Sequence, residues 1–101
     1  MAKRIEWTDN ALREKVEILK YWKKRNKSED YSKKLNGLFK NAVRTIQKHA
    51  ALGRPTEDPE VKNILARDYL IYFTETDTCI TVVHILDGRR NPDRWKYRPN
   101  K

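Results

Sequence analysis

The spacing of apolar positions changes period twice along this chain. Lys3 to Trp7 alternates, with Ile5 and Trp7 on one side and Arg4 and Glu6 on the other, which predicts a short strand with one buried face. The period then becomes helical. Leu12, Val16, Leu19 and Trp22 predict a first helix running to about Arg25. Thr8-Asp9-Asn10 supplies N-cap chemistry for it, and its Lys/Arg-rich end suits the negative pole of a helix. After a break at Asn26-Lys27-Ser28, Ser28 is placed to cap a second helix that carries Glu29 and Asp30 in its first turn. Tyr31, Leu35, Leu38, Phe39, Ala42, Val43 and Ile46 form its apolar stripe. Gly37 inside that helix either costs about 1 kcal/mol relative to Ala or lets a neighbour approach closely. The link between the helices is short, so they are expected to fold back as an antiparallel pair.

Leu52-Gly53-Arg54-Pro55 ends the helical part, and the period falls to two. Val61 to Ala66 reads as a weak strand, with Arg67-Asp68 as a turn. Tyr69, Ile71 and Phe73 alternate with Leu70 and Tyr72, a strand apolar on both faces. Glu75-Thr76-Asp77-Thr78 is a hairpin turn, and Cys79 to Leu86 is the last strand. The order β-α-α-β-β-β predicts an α+β fold: a small antiparallel sheet with an antiparallel helix pair on one face and the other face partly open. Residues 1–92 are expected to form a single domain, with 93–101 as a basic tail in which Arg98-Pro99 rules out long regular structure.

Charge adds a division that the period does not show. The 101 residues carry a net charge of +9, unevenly placed. Residues 13–48 hold twelve Lys/Arg against four Asp/Glu, residues 49–86 hold three against six, and residues 87–101 hold six against two. A basic surface of this kind suits nucleic acid, a ribosome or an acidic protein. Residues 13–48 alone read as a solvated, Lys-rich helix face. The tail is more pointed, because Arg89, Arg90 and Arg94 sit among Trp95 and Tyr97 at the end of an apolar hairpin. Met1 to Glu6 has no apolar run and no stretch approaches the roughly 20 apolar residues of a membrane span, so the expectation is a soluble, cytoplasmic protein.

The single cysteine, Cys79, excludes an intrachain disulfide and reads as a small core residue. Cys79, His49 and His84 lack the ligand spacing of a zinc site, and no Gly-rich phosphate loop or nucleophile elbow is present, so no metal, cofactor or small-molecule substrate is expected. His49 is expected to cap the second helix. His84 has the chemistry of an acid-base group. It also alternates with Ile80, Val82 and Leu86, a set expected to face the helices, so a hydrogen-bonded structural role is favoured. Tyr69, Tyr72, Phe73, Trp95 and Tyr97 could stack bases. The core reading is favoured for Phe73 and one tyrosine, and the interface reading for Trp95 and Tyr97.

The chain resembles the RelE/ParE superfamily of bacterial type II toxins, and is closer to the ParE side. The resemblance spans about residues 3–92. It rests on the opening strand with Ile5 and Trp7, the two amphipathic helices, Gly53-Arg54-Pro55, Tyr69-Leu70-Ile71-Tyr72, and His84 followed by Arg89-Arg90-Asn91-Pro92. It implies a toxin neutralised by a small antitoxin, whose disordered segment wraps it. In the superfamily, RelE-like members cut mRNA in the ribosomal A site, whereas ParE-like members poison DNA gyrase and lack the nuclease residues.

Tyr69 stands where the RelE motif places a catalytic Arg, and this departure weakens the nuclease reading. Metal-free RNA cleavage needs a base, an acid and cations for the phosphorane charge. A reduced set of Arg67, His84, Arg90 and Tyr97 can still be written, with Arg67 on the same face as Tyr69 if the strand extends back that far. Target or antitoxin binding is assigned to Tyr69, Arg89, Arg90, Arg94, Trp95 and Tyr97. A gyrase-directed ParE-like toxin without chemistry of its own is favoured. A ribosome-dependent mRNA endonuclease and a basic nucleic-acid-binding domain are the alternatives. The expected partner is an acidic antitoxin, partly disordered when free.

Overall fold

The computed structural model describes residues 3–88, which form two helices against one five-stranded sheet. Strand β1 (Arg4–Trp7) leads into helix α1 (Asp9–Asn26), and α2 (Asp30–Lys48) follows. A 3₁₀ turn (Ala50–Leu52) precedes β2 (Arg54–Pro55), β3 (Val61–Ala66), β4 (Tyr69–Glu75) and β5 (Cys79–Asp87).

Local chemistry starts and stops these elements where the sequence puts it. Thr8 is the N-cap of α1, its Oγ1 accepting from the Ala11 N–H at 3.1 Å. Lys27 ends α1 in the left-handed region at φ 52°. Ser28 Oγ accepts from the Asp30 N–H at 3.1 Å, one residue earlier than a standard N-cap, and Glu29 takes the cap position without a side-chain bond. The helices run antiparallel: Trp22 packs edge-on to Tyr31 at 4.9 Å, and Ser32 Oγ donates to the Leu19 carbonyl at 2.6 Å.

The sheet order is β1-β5-β4-β3-β2. Strands β3 to β5 form the expected antiparallel meander and the unexpected β2 extends it at its edge, but β1 pairs with β5 in parallel, Ile5 opposite Ile80 and Trp7 opposite Val82, so the sheet is mixed. The two-residue β2 is too short to show alternation in sequence. The Arg67-Asp68 turn joins β3 to β4, with Arg67 at φ 60°. In the β4–β5 turn, Thr76 Oγ1 accepts from the Cys79 and Thr78 N–H groups.

The α2 stripe is buried as its period predicts: Leu35, Phe39 and Val43 meet Tyr69, Ile71, Val82 and Ile85 of the sheet. Ile46 and Ala50 pack with Phe73 and Ile80 in a second cluster. Helix α1 departs from expectation. Leu12 and Val16 are 42% and 45% exposed, while Ala11 is fully buried and Ile18, Leu19 and Trp22 are partly buried. One residue is about 100° of helix rotation. The bonds that tie α1 down, from Thr8 and Glu14 to β5 and from Leu19 to α2, turn the Ala11–Ile18–Trp22 line inward instead.

Candidate functional site

Strand β5 contains a bulge. Tyr72 pairs with His84 but Phe73 pairs with Val82, so Val83 is an extra residue. The expected alternation of His84 with Ile80, Val82 and Leu86 on the helix-facing side is therefore broken, and Ile85 takes the buried place while Leu86 is half-buried. Helix α1 seals the irregular edge. Thr8 Oγ1 donates to the Val83 carbonyl at 3.4 Å, and Glu14 Oε1 accepts from the Ile85 N–H at 3.0 Å. His84 Nδ1 lies 3.2 Å from both Glu14 carboxylate oxygens and 3.0 Å from Asn10 Nδ2. His84 is thus a hydrogen-bonded residue that joins β5 to the start of α1. Sequence reasoning missed Glu14; a carboxylate at helical spacing from the Asn10 cap region was the available signal.

Tyr69 lies in the core, 5% exposed and edge-on to Phe39 at 5.6 Å. Its hydroxyl accepts from Trp22 Nε1–H at 2.8 Å. The backbone turns at Arg67, so Arg67 does not extend β4 onto the Tyr69 face; its guanidinium sits 5.7 Å over the Tyr31 ring. Tyr31 in turn packs on Trp22, whereas His84 contacts Asn10 and Glu14. Trp22 lies eight positions beyond Glu14, about 12 Å along the helix. Arg67 and His84 consequently address opposite ends of α1 and are not brought together. Arg89, Arg90, Arg94, Trp95 and Tyr97 lie outside the described residues.

On the opposite face of the sheet, β2, β3 and β4 align Arg54, Asn63 and Tyr72 in one row. Burial pushes the Tyr72 hydroxyl above its usual pKa, while the Asn63 hydrogen bond and the Arg54 charge pull the other way. The Lys15 ammonium is held below the usual lysine range by burial and by Lys40, and it sits 4.9 Å over the Trp7 ring. No group of three or more His, Cys, Asp or Glu able to hold a metal occurs among the described residues. Cys79 is buried, and His49 closes α2 through its backbone N–H to the Thr45 carbonyl. No described helix is long and apolar enough to cross a membrane.

The family model for the ParE toxin of the type II toxin–antitoxin system parDE matches residues 5–92. The chain belongs to the ParE toxin family. A solved chain titled "Chromosomal ParDE TA system from P. aeruginosa" has the same fold as this ParE-family toxin, with a TM-score of 0.74 at 19% identity over 85% of this chain and 96% of that one. No curated protein matches it in sequence. The match runs from Ile5 in β1 past the end of β5, so the Tyr69–Trp22 contact and the α1-sealed bulge both lie within the ParE domain.

Proposed function

We propose that this toxin arrests growth by binding DNA gyrase, without chemistry of its own, and that an acidic antitoxin neutralises it. Tyr69 carries the reading. It stands where a RelE-like nuclease has its arginine, and it is a core residue with its hydroxyl held by Trp22 rather than a cation offered to a phosphate. The separation of Arg67 from His84 supports the same reading, because phosphoryl chemistry requires its acid, base and cations within hydrogen-bond reach of one substrate.

The antitoxin is expected to be an amphipathic acidic segment. Leu12 and Val16 stand exposed one turn apart on α1, with Arg13 and Lys20 exposed on the same helix. Such a segment would place apolar anchors on the pair and carboxylates beside the cations.

The deciding experiment runs two reactions with the purified protein: gyrase supercoiling of relaxed plasmid, and a reconstituted translation reaction with primer extension on its mRNA. Inhibited supercoiling, or trapped cleavage complexes, with intact mRNA is the expected result. New mRNA 5′ ends that require ribosomes would replace the gyrase reading with the endonuclease one.

A further inference from the structure

The corner where α1 meets α2 holds a groove of about 570 Å³ lined by Lys20, Lys23, Lys24, Lys27, Ser28 and Glu29. Four of these six side chains are cationic. Glu29 is the one carboxylate, and it faces Lys23 at 3.9 Å, which leaves Lys20, Lys24 and Lys27 without an ion-pair partner among the described residues. All four lysines are exposed.

We infer that this groove binds the phosphate backbone of duplex DNA. Three observations favour that occupant. First, the cations run from Lys20 to Lys27, about 10 Å at roughly 1.5 Å per residue. Duplex DNA carries about one charge per 1.7 Å of axis, so this line meets several backbone charges where a single small anion would meet only one or two lysines. Second, the lining has no aliphatic or aromatic residue, only the methylene stems of its lysines, so it lacks the pockets that anchor a peptide helix, whereas a phosphodiester backbone needs none. The apolar pair at Leu12 and Val16 lies further along α1, outside the groove. Third, Lys27 occupies a left-handed helix end, φ 52° and ψ 34°, where glycine is the usual residue. The chain keeps a lysine at a backbone-disfavoured position, and its charge completes the lining. The choice of DNA over RNA rests on the gyrase reading, since gyrase presents duplex DNA to whatever binds it.

The test is fluorescence anisotropy of a labelled 24-base-pair duplex titrated with full-length protein across a salt series. Four lysine contacts predict a slope of log affinity against log salt of about −3.6. The triple variant Lys20→Gln/Lys24→Gln/Lys27→Gln should lose about 2.7 of that slope. The control Lys34→Gln/Arg44→Gln/Lys48→Gln, with the same charge loss elsewhere on the helices, should keep most of it. Lys27→Gly separates charge from fold: it should melt higher than the wild type yet bind the duplex more weakly. Equal loss in both triple variants, no duplex binding by the wild type at 50 mM salt, or poly-glutamate binding as tightly and as groove-dependently as the duplex would each overturn the proposal. Failure of the gyrase reading registers separately, as undiminished supercoiling by a protein whose groove still binds DNA.

Discussion

Two glycines in this toxin should respond to the same substitution with opposite signs. Gly53 follows the 3₁₀ turn with φ −66° and ψ 140°, a conformation open to any residue, so its requirement is one of space. A Cβ there would stand 2.4 Å from Phe73 Cζ, 2.9 Å from Phe73 Cε1 and 3.0 Å from Lys62 Cβ. Ordinary carbon contacts lie at about 3.5–4.0 Å, so the ring of Phe73 would have to retreat by about 1 Å. It has nowhere to go, because it is fully buried against Ile46, Ala50 and Ile80. Overpacking of this kind costs about 1–3 kcal/mol. At about 4–8 °C per kcal/mol for a domain of this size, Gly53→Ala should lower Tm by about 4–24 °C. At Gly37, in the middle of α2, a Cβ would meet no atom within 4 Å. Only helix propensity is then at stake, and Gly37→Ala should gain up to about 1 kcal/mol and raise Tm by about 4–8 °C. Thermal and urea unfolding followed by circular dichroism measures both. A Gly53→Ala protein as stable as the wild type would refute the packing argument, and a destabilised Gly37→Ala protein would refute the claim of open space.

Other predictions follow from single bonds. Ser32→Ala removes the Oγ–H bond to the Leu19 carbonyl between the helices and should cost about 1 kcal/mol in urea denaturation. Glu14→Ala deprives the Ile85 N–H of its acceptor and should cost about 1–3 kcal/mol, whereas Glu14→Gln retains an acceptor and should recover most of that; equal losses would show that the bond is not what matters. The raised Tyr72 pKa predicts alkaline sensitivity. Above pH 10 the unfolded chain releases this proton while the folded hydroxyl keeps it, so stability falls as pH rises, by up to about 1.4 kcal/mol per pH unit. Unfolding midpoints at pH 9, 10 and 11 should fall more steeply for the wild type than for Tyr72→Phe, and parallel curves would contradict the assignment.

The architecture was readable from periodicity where one element buries one face. The α2 stripe from Leu35 to Ile46 had a single apolar side to hide, and the structure buries it against the Tyr69, Ile71 and Phe73 positions of β4. On α1 the same reading selected Leu12 and Val16, which are exposed. That helix has apolar residues on more than one line, and polar bonds from Thr8 and Glu14 to β5 choose among them. Tyr69 shows a similar limit. The resemblance set it against an arginine of RelE-like toxins, but the sequence did not show that Trp22 and Phe39 hold it inside the core.

Local, short-range physics was therefore in the sequence by itself: caps, turns, strand and helix periods, the basic character of residues 13–48, and the family these add up to. Tertiary structure alone decided the parallel pairing of β1 with β5, the bulge at Val83, the joining of His84 to Glu14, and the distance between Arg67 and His84. Each of these depends on residues tens of positions apart meeting in one register. A one-residue shift in register exchanges the two faces of a strand while leaving its composition unchanged.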